Sequence, residues 1–344
     1  MKKITKRKLF ALTLALSQVA IILFLLFGLL RQPTAVHAAD LNVNTFSDAS
    51  DGSCADPTCS LRDAIATADP LDTIYLPAGS YILSSALGEI NIAKTITIIG
   101  QGATAADTII DGGNVIRLFN ISSGTVTFSN LTLQNGNPAG GNGGAILTSG
   151  TGSVTLDNSV IRNSVTQSSG GGVYLAGGTL NVLNGSQILG NTAVASTNGS
   201  GGGVYSNNGS VYLSNSTVAG NSAQFGGGVA LNQASAQLTI DNGQILSNAG
   251  LAPGPNNFTG GGINSGAGVV IMNSGLISGN TAFRGGGALV SSGSFTLNGG
   301  TITDNESDYG GGIYVRTTSA LLTINDGTIS GNRSVASIFG GGAL

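Results

Sequence analysis

Leu213-Ser-Asn-Ser-Thr-Val-Ala-Gly-Asn221, Leu238-Thr-Ile-Asp-Asn-Gly-Gln-Ile-Leu-Ser-Asn248 and Leu322-Thr-Ile-Asn-Asp-Gly-Thr-Ile-Ser-Gly-Asn332 are variants of one phrase. Counting Asn135, eight Asn residues close such phrases. A β-branched aliphatic stands three residues before each of the later ones, at Val160, Ile188, Val218, Ile245, Ile277, Ile302 and Ile329. One aliphatic per repeat at a fixed place implies side chains stacked in a ladder. A glycine cluster recurs in step: Gly143-Gly144-Ala145, then Gly-Gly-Gly at 170, 201, 226, 260, 285, 310 and 340, the last seven 25 to 34 residues apart.

Each repeat carries about three short alternating apolar and polar runs separated by Gly, Asn and Ser, which is a strand-and-turn pattern and not a helical period. Leucine-rich repeats would show a tighter Leu lattice, and propeller blades need roughly 40 or more residues each. The pattern therefore predicts an all-β solenoid, a parallel β-helix with three strands per coil. One coil cannot bury its inward face alone. Stacking at about 4.8 Å per coil pairs every strand above and below and joins the ladders into one core. Gly and Asn suit the turns because they accept positive φ at low cost. The glycine triplets lack the following helix and the Lys-Ser/Thr of a phosphate-binding loop.

The first residues read differently. Lys2, Lys3, Lys6, Arg7 and Lys8 precede an uncharged run from Leu9 to Leu30, and Thr34-Ala35-Val36-His37-Ala38-Ala39 supplies small residues for cleavage after Ala38 or Ala39. Residues 1–38 are expected to be a signal peptide, or else a retained membrane anchor, since about 20 apolar residues can span a bilayer. Either way the remainder is expected outside the cytoplasm, extracellular or at the cell surface. The chain divides into this leader, an N-terminal cap with the first coils at 39–115, and Gly/Asn-rich repeats at 116–344. From Asp40 onward 7 bases face 16 acids, a balance of 7 minus 16, or −9, with no basic patch for nucleic acid. The single histidine, His37, lies beside the cleavage site, so the rest of the chain offers no imidazole as base or metal ligand.

Ahead of the repeats, Cys54-Ala-Asp-Pro-Thr-Cys59-Ser-Leu-Arg-Asp-Ala-Ile-Ala-Thr-Ala68 predicts a short amphipathic helix with Leu61, Ala64, Ile65 and Ala68 on one face. Ser60 with Asp63 three residues on is a capping box, setting the helix start just after Cys59. Such a helix covers the open first coil, whose strand edges and apolar groups would otherwise be exposed. Cys54 and Cys59 in an exported chain are expected to form a disulfide, with free thiols as the alternative. Asp48, Asp51 and Asp56 around this loop match no EF-hand spacing and read as turn acids.

At Cys59-Ser60-Leu61-Arg62-Asp63-Ala64 the sequence resembles the family of surface proteins named for a Cys-Ser-Leu-Arg-Glu-Ala motif, with Asp in place of Glu. The resemblance extends through Asp72-Thr-Ile-Tyr-Leu-Pro77, Thr95-Ile-Thr-Ile-Ile-Gly100 and Thr108-Ile-Ile-Asp-Gly112. The later Gly-Gly-Ala-Ile and Gly-Gly-Gly-Val-Tyr units are similar to repeats of polymorphic outer-membrane proteins and other pectate-lyase-like β-helices. That similarity implies a right-handed helix, extracellular display and often adhesion, without an assured activity.

Catalytic groups are sparse. A glycoside hydrolase needs paired carboxylates, yet from residue 118 the only acids are Asp157, Asp241, Asp304, Glu306, Asp308 and Asp326. Only Asp304, Glu306 and Asp308 lie together, beside Asn305; they read as a solvated turn and as weak candidates for a metal. A lyase needs calcium-binding acids with a neighbouring base, but Arg117, Arg162, Arg284, Arg316 and Arg333 are scattered. No catalytic residue and no cofactor are expected. A binding surface has more support. After each glycine cluster an inward aliphatic such as Val173, Val204, Val229, Ile263 or Ile313 precedes a residue facing out, and that residue is Tyr174, Tyr205 and Tyr314 in three coils. Tyr174 and Tyr205 should lie about 5 Å apart, interrupted further on by Ala230, Asn264 and Leu289. The expected role is display, adhesion or contact with an extracellular polysaccharide or surface protein; a polysaccharide-active lyase or hydrolase is the alternative. The text halts within a repeat at Gly340-Gly-Gly-Ala-Leu344, as a truncated product would.

Overall fold

The computed structural model describes residues 40–55, 57–194, 199–251 and 259–335. The leader, Asp56 and the final glycine cluster lie outside the described residues. Among those described, parallel strands stack into three long sheets, here called A, B and C, of eleven, ten and nine strands, and a shorter sheet D of seven. One turn illustrates the path: Val173–Leu175 in sheet C, Thr179–Leu183 in A, Gln187–Leu189 in B and Thr192–Ala193 in D, before the next glycine cluster returns the chain to C. The fold is a right-handed parallel β-helix. Sheet D is an addition to the three strands per coil legible in the sequence: the two to four residues after each inward polar side chain are extended and pair with the coil above.

Alternation within each strand aims one set of side chains inward. In sheet B the inward column runs Leu133, Ile161, Ile188, Val218, Ile245, Ile277 and Ile302, in register from coil to coil and fully buried. Sheet C contributes Val173, Val204, Val229, Ile263, Ala288 and Ile313, and sheet A a parallel column through Val154, Leu180, Val211 and Leu238. Burying a Val, Leu or Ile contributes about 1.5–3 kcal/mol, so the ladders rather than any single contact carry the solenoid.

The asparagines closing the phrases line the inside of the corner between B and D. Asn221 Oδ1 accepts the backbone N–H of Asn191 at 2.8 Å and its Nδ2 at 3.0 Å. Asn248, Asn280, Asn305 and Asn332 repeat the arrangement. Each Nδ2 from Asn221 to Asn305 also donates back to a carbonyl of the preceding coil, so one amide ties three coils together. Here the structure corrects the alignment of two early repeats by one residue. Asn135 and Asn163 are not rungs of this ladder; they occupy the corner just before it, at φ +55° and +53°, where Gly190 and Gly220 stand in later coils. The rung in that coil is Ser164, whose N–H donates to Asn191 Oδ1. Accordingly Ile161, not Val160, is the inward aliphatic, and Val160 pairs with Gln187 facing out.

The glycine clusters form the corner from D to C. Gly171 shows why no side chain is admitted: a Cβ there would lie 2.3 Å from Gly202 O and 2.6 Å from Thr192 N.

At the N-terminal end, helix α1 (Leu61–Thr67) begins at Ser60, whose Oγ accepts the Asp63 N–H at 3.0 Å. Leu61, Ala64, Ile65 and Ala68 are all buried against the first coil. The carboxylate of Asp63 takes the Ser60 hydroxyl and the Gly52 N–H, anchoring the preceding loop to the helix instead of closing the box on the cap's own amide. Arg62 grips Asp48 through two hydrogen bonds, at 3.0 and 2.9 Å, and donates to Gly88 O. Asp48 also receives the Ser84 N–H, so it is a structural ion-pair acid and not a free turn acid. A disulfide joins Cys54 to Cys59.

Candidate functional site

Sheet C turns a column of side chains outward: Asn91, Asn120, Leu147, Tyr174, Tyr205, Ala230, Asn264, Leu289 and Tyr314, paired coil to coil. Parallel in-register pairing places Tyr174 directly beneath Tyr205. Their rings stack with centroids 5.1 Å apart and planes inclined by 19°. Both are half-buried. Burial raises the phenol pKa of Tyr174, and at Tyr205 burial, reinforced by Tyr174 beside it, pushes the value up to about 12. At neutral pH the two rings thus present an uncharged aromatic surface with hydroxyls at its rim.

Tyr314 lies four rungs beyond Tyr205 and belongs to a second cluster that sequence reasoning missed. Arg284 Cζ sits 5.4 Å from the Phe283 ring, 5.3 Å from Tyr309 and 5.8 Å from Tyr314, within cation–π range of all three. Phe283 and Tyr309 meet edge to face at 5.5 Å. The signal was available: Phe283 and Tyr309 stand at the ends of the sheet D strands Thr281–Arg284 and Glu306–Tyr309, within two residues of a glycine cluster.

The carboxylates lie elsewhere. Asp157 and Asp241 stand at the corner between A and B, each accepting an amide from the next coil, Asn184 and Asn273. Asp304 occupies the φ > 0 corner ahead of the buried Asn305, at +55°. Glu306 and Asp308 share one strand of sheet D, and Glu306 pairs with Arg333 at 2.7 Å on the surface. Among the described residues, no three Asp, Glu, Cys or His side chains are grouped to hold a metal ion.

A cleft of about 490 Å³ beside the cap is lined by Arg62, Ile65, Leu87, Glu89, Asn91 and Lys94 among others. Its charged groups are engaged locally: Arg62 with Asp48, Glu89 with Arg117, and Lys94 with the carbonyls of Ala66 and Ala68 at the end of α1. The cleft is therefore the seam along which the cap closes on the first coil.

The model of the right-handed β-helix region matches residues 114–302, more than half of the chain, and the protein belongs to that family. No curated protein and no solved structure matches the chain.

Proposed function

We propose that this protein is an exported or surface-held β-helix that contacts an extracellular glycan or surface partner without catalysis. The observation that carries this reading is the Tyr174–Tyr205 stack on an outward sheet face whose strand column bears no charge. The ring edges and phenol hydroxyls that such a stack turns outward suit the C–H groups and hydroxyls of sugars. Catalysis would need an acid and a base converging on one bond. The acids beyond residue 118 instead sit at corners and in sheet D, several of them bonded to the adjoining coil. The basic leader with its long apolar run and the Cys59–Ala64 motif, similar to that of surface proteins, support the location.

The test is a glycan array with the purified chain, beside reducing-sugar and unsaturated-product assays on pectin and related polymers. Binding without product, lost on Tyr174→Ala and Tyr205→Ala, is the expected result. Product above an enzyme-free blank would overturn it in favour of a polysaccharide-active enzyme.

A further inference from the structure

The outward column of sheet C loses its tyrosines after Tyr205, but the aromatic surface does not end there. In two of the three coils where the strand supplies tyrosine, the residue just before the glycine cluster is small, Ser169 and Ser200. In the next coil the strand supplies Ala230, and Phe225 precedes the cluster; where it supplies Leu289, Arg284 stands at that place, in register with Tyr309, and Phe283 one residue earlier lies against the Arg284 guanidinium. At Tyr314 both places are aromatic, Tyr309 standing at the corner. The exchange has a steric cause. Ala230 and Leu289 face outward yet are 3 % and 0 % exposed. A Cβ on Gly226 would meet Ala230 Cβ at 2.9 Å and Asn264 Cβ at 3.1 Å, which shows how closely the corner backbone crosses that face. A ring can therefore come from the strand or from the corner, but a ring on the strand needs a small corner residue or, as at Tyr314, a neighbouring ring to pack against. The sequence also puts Phe258 just ahead of Gly260, outside the described residues, and the proposal stands without it.

We infer that Tyr174, Tyr205, Phe225, Phe283, Tyr309 and Tyr314 form one aromatic track along the solenoid axis, which takes an unbranched, neutral polysaccharide of equatorially substituted pyranoses. This deepens the glycan-contact reading and rests on it. The six coils from Tyr174 to Tyr314 span five rises, about 24 Å at ~4.8 Å each. That rise is close to the length of one pyranose unit in an extended chain, so sugars keep step with the coils, the track supplying rings in five of the six and Asn264 standing in the other. Equatorial substituents leave a flat C–H face for the rings. The strand column from Tyr174 to Tyr314 carries no charge, and Arg284 beside the track lies within cation–π range of three of its rings, so a neutral polymer fits the face better than a polyanion.

Calorimetric titration of the full chain with cellotriose, cellohexaose and a hexamer of galacturonate tests the inference. The hexaose should bind roughly tenfold or more tighter than the triose, and tighter than the galacturonate. Phe225→Ala should bring the hexaose down to the triose level while leaving triose binding at Tyr174 and Tyr205 unchanged. Phe225→Leu, which keeps the corner packed, should behave like the Ala variant in binding while keeping the parent melting temperature, separating loss of the ring from loss of fold. Equal affinity for triose and hexaose, or a Phe225→Leu chain that binds like the parent, overturns the track while leaving glycan contact at the tyrosine pair intact. Tighter binding of the galacturonate overturns the assignment to a neutral polymer. Absence of binding to all three, together with a blank glycan array, overturns the inference and the parent reading together.

Discussion

Replacing Asn248 by Ala tests whether the buried amide ladder holds the coils together. Asn248 is fully buried. Its Oδ1 accepts the Asn221 N–H and Nδ2, both at 3.0 Å, and its Nδ2 donates to Val218 O at 3.0 Å and Asn280 Oδ1 at 2.9 Å. Alanine leaves the Asn221 backbone N–H and one Asn221 amide hydrogen without an acceptor and removes a donor from the Val218 carbonyl. Orphaning a buried polar group costs about 1–3 kcal/mol, and a water entering the vacated space would recover part of that. The expected loss is about 3–4 kcal/mol by urea denaturation. Asn248→Ser should lose less, because Ser164 fills the equivalent rung and accepts the Gly136 N–H through its hydroxyl. Since each coil contacts only its neighbours, the damage should be local. Amide exchange at Asn221 should accelerate far more than exchange several coils away. A loss under about 1 kcal/mol, or no larger than that of Asn242→Ala at the exposed A–B corner, would refute the view that these amides hold adjacent coils together.

Gly171→Ala should destabilise the chain by about 3 kcal/mol or more because its Cβ has no room, whereas Gly185→Ala, at φ +82° with nothing within 4 Å, should cost only about 1 kcal/mol for its backbone conformation. Thermal melts of the two side by side decide this. Arg62→Leu strands the Asp48 carboxylate, 5 % exposed, and should cost about 3 kcal/mol; limited proteolysis should then cut first near residues 44–55. Tyr205 has a folded pKa of about 12 against 10 in the unfolded chain. The folded state therefore holds the proton that the unfolded state releases between pH 10 and 12, and the associated stability, intact below pH 10, declines as pH rises through 12. Ultraviolet titration of phenolate absorbance should show a component ionising near pH 12 that Tyr205→Phe reduces, and a profile unchanged by that substitution in this range would contradict its burial.

The parallel solenoid, the inward aliphatic ladders and the Tyr174–Tyr205 stack were legible in the sequence because each depends on one residue type recurring at a fixed place, and parallel pairing converts sequence repetition directly into spatial adjacency. The early register slip was not legible. Asn163 and Asn191 both end a phrase, but Asn serves equally as a left-handed corner and as an inward amide rung, so only the hydrogen-bond partners tell them apart. Sheet D escaped because two-residue strands leave too little alternation to read. The Arg284 cluster escaped because its members come from strands of two different sheets, D and C, that meet only where the corner brings them together.

Coil length varies unevenly around the helix. The coil reaching its glycine cluster at 226 takes 25 residues, and the next, ending at 260, takes 34. Most of the difference falls between the sheet D strand Ala249–Gly250 and Gly260, whereas Ala223 is followed by Gly226 after only two residues. The B–D corner is pinned by the buried amides to the coils on either side, so a residue added there would break rungs in both directions. The D–C corner has no such tie on its length. It takes the largest change of length between neighbouring coils without shifting register, and it borders the aromatic face, so lengthening a loop there would reshape what that face can hold while leaving the scaffold beneath it unchanged.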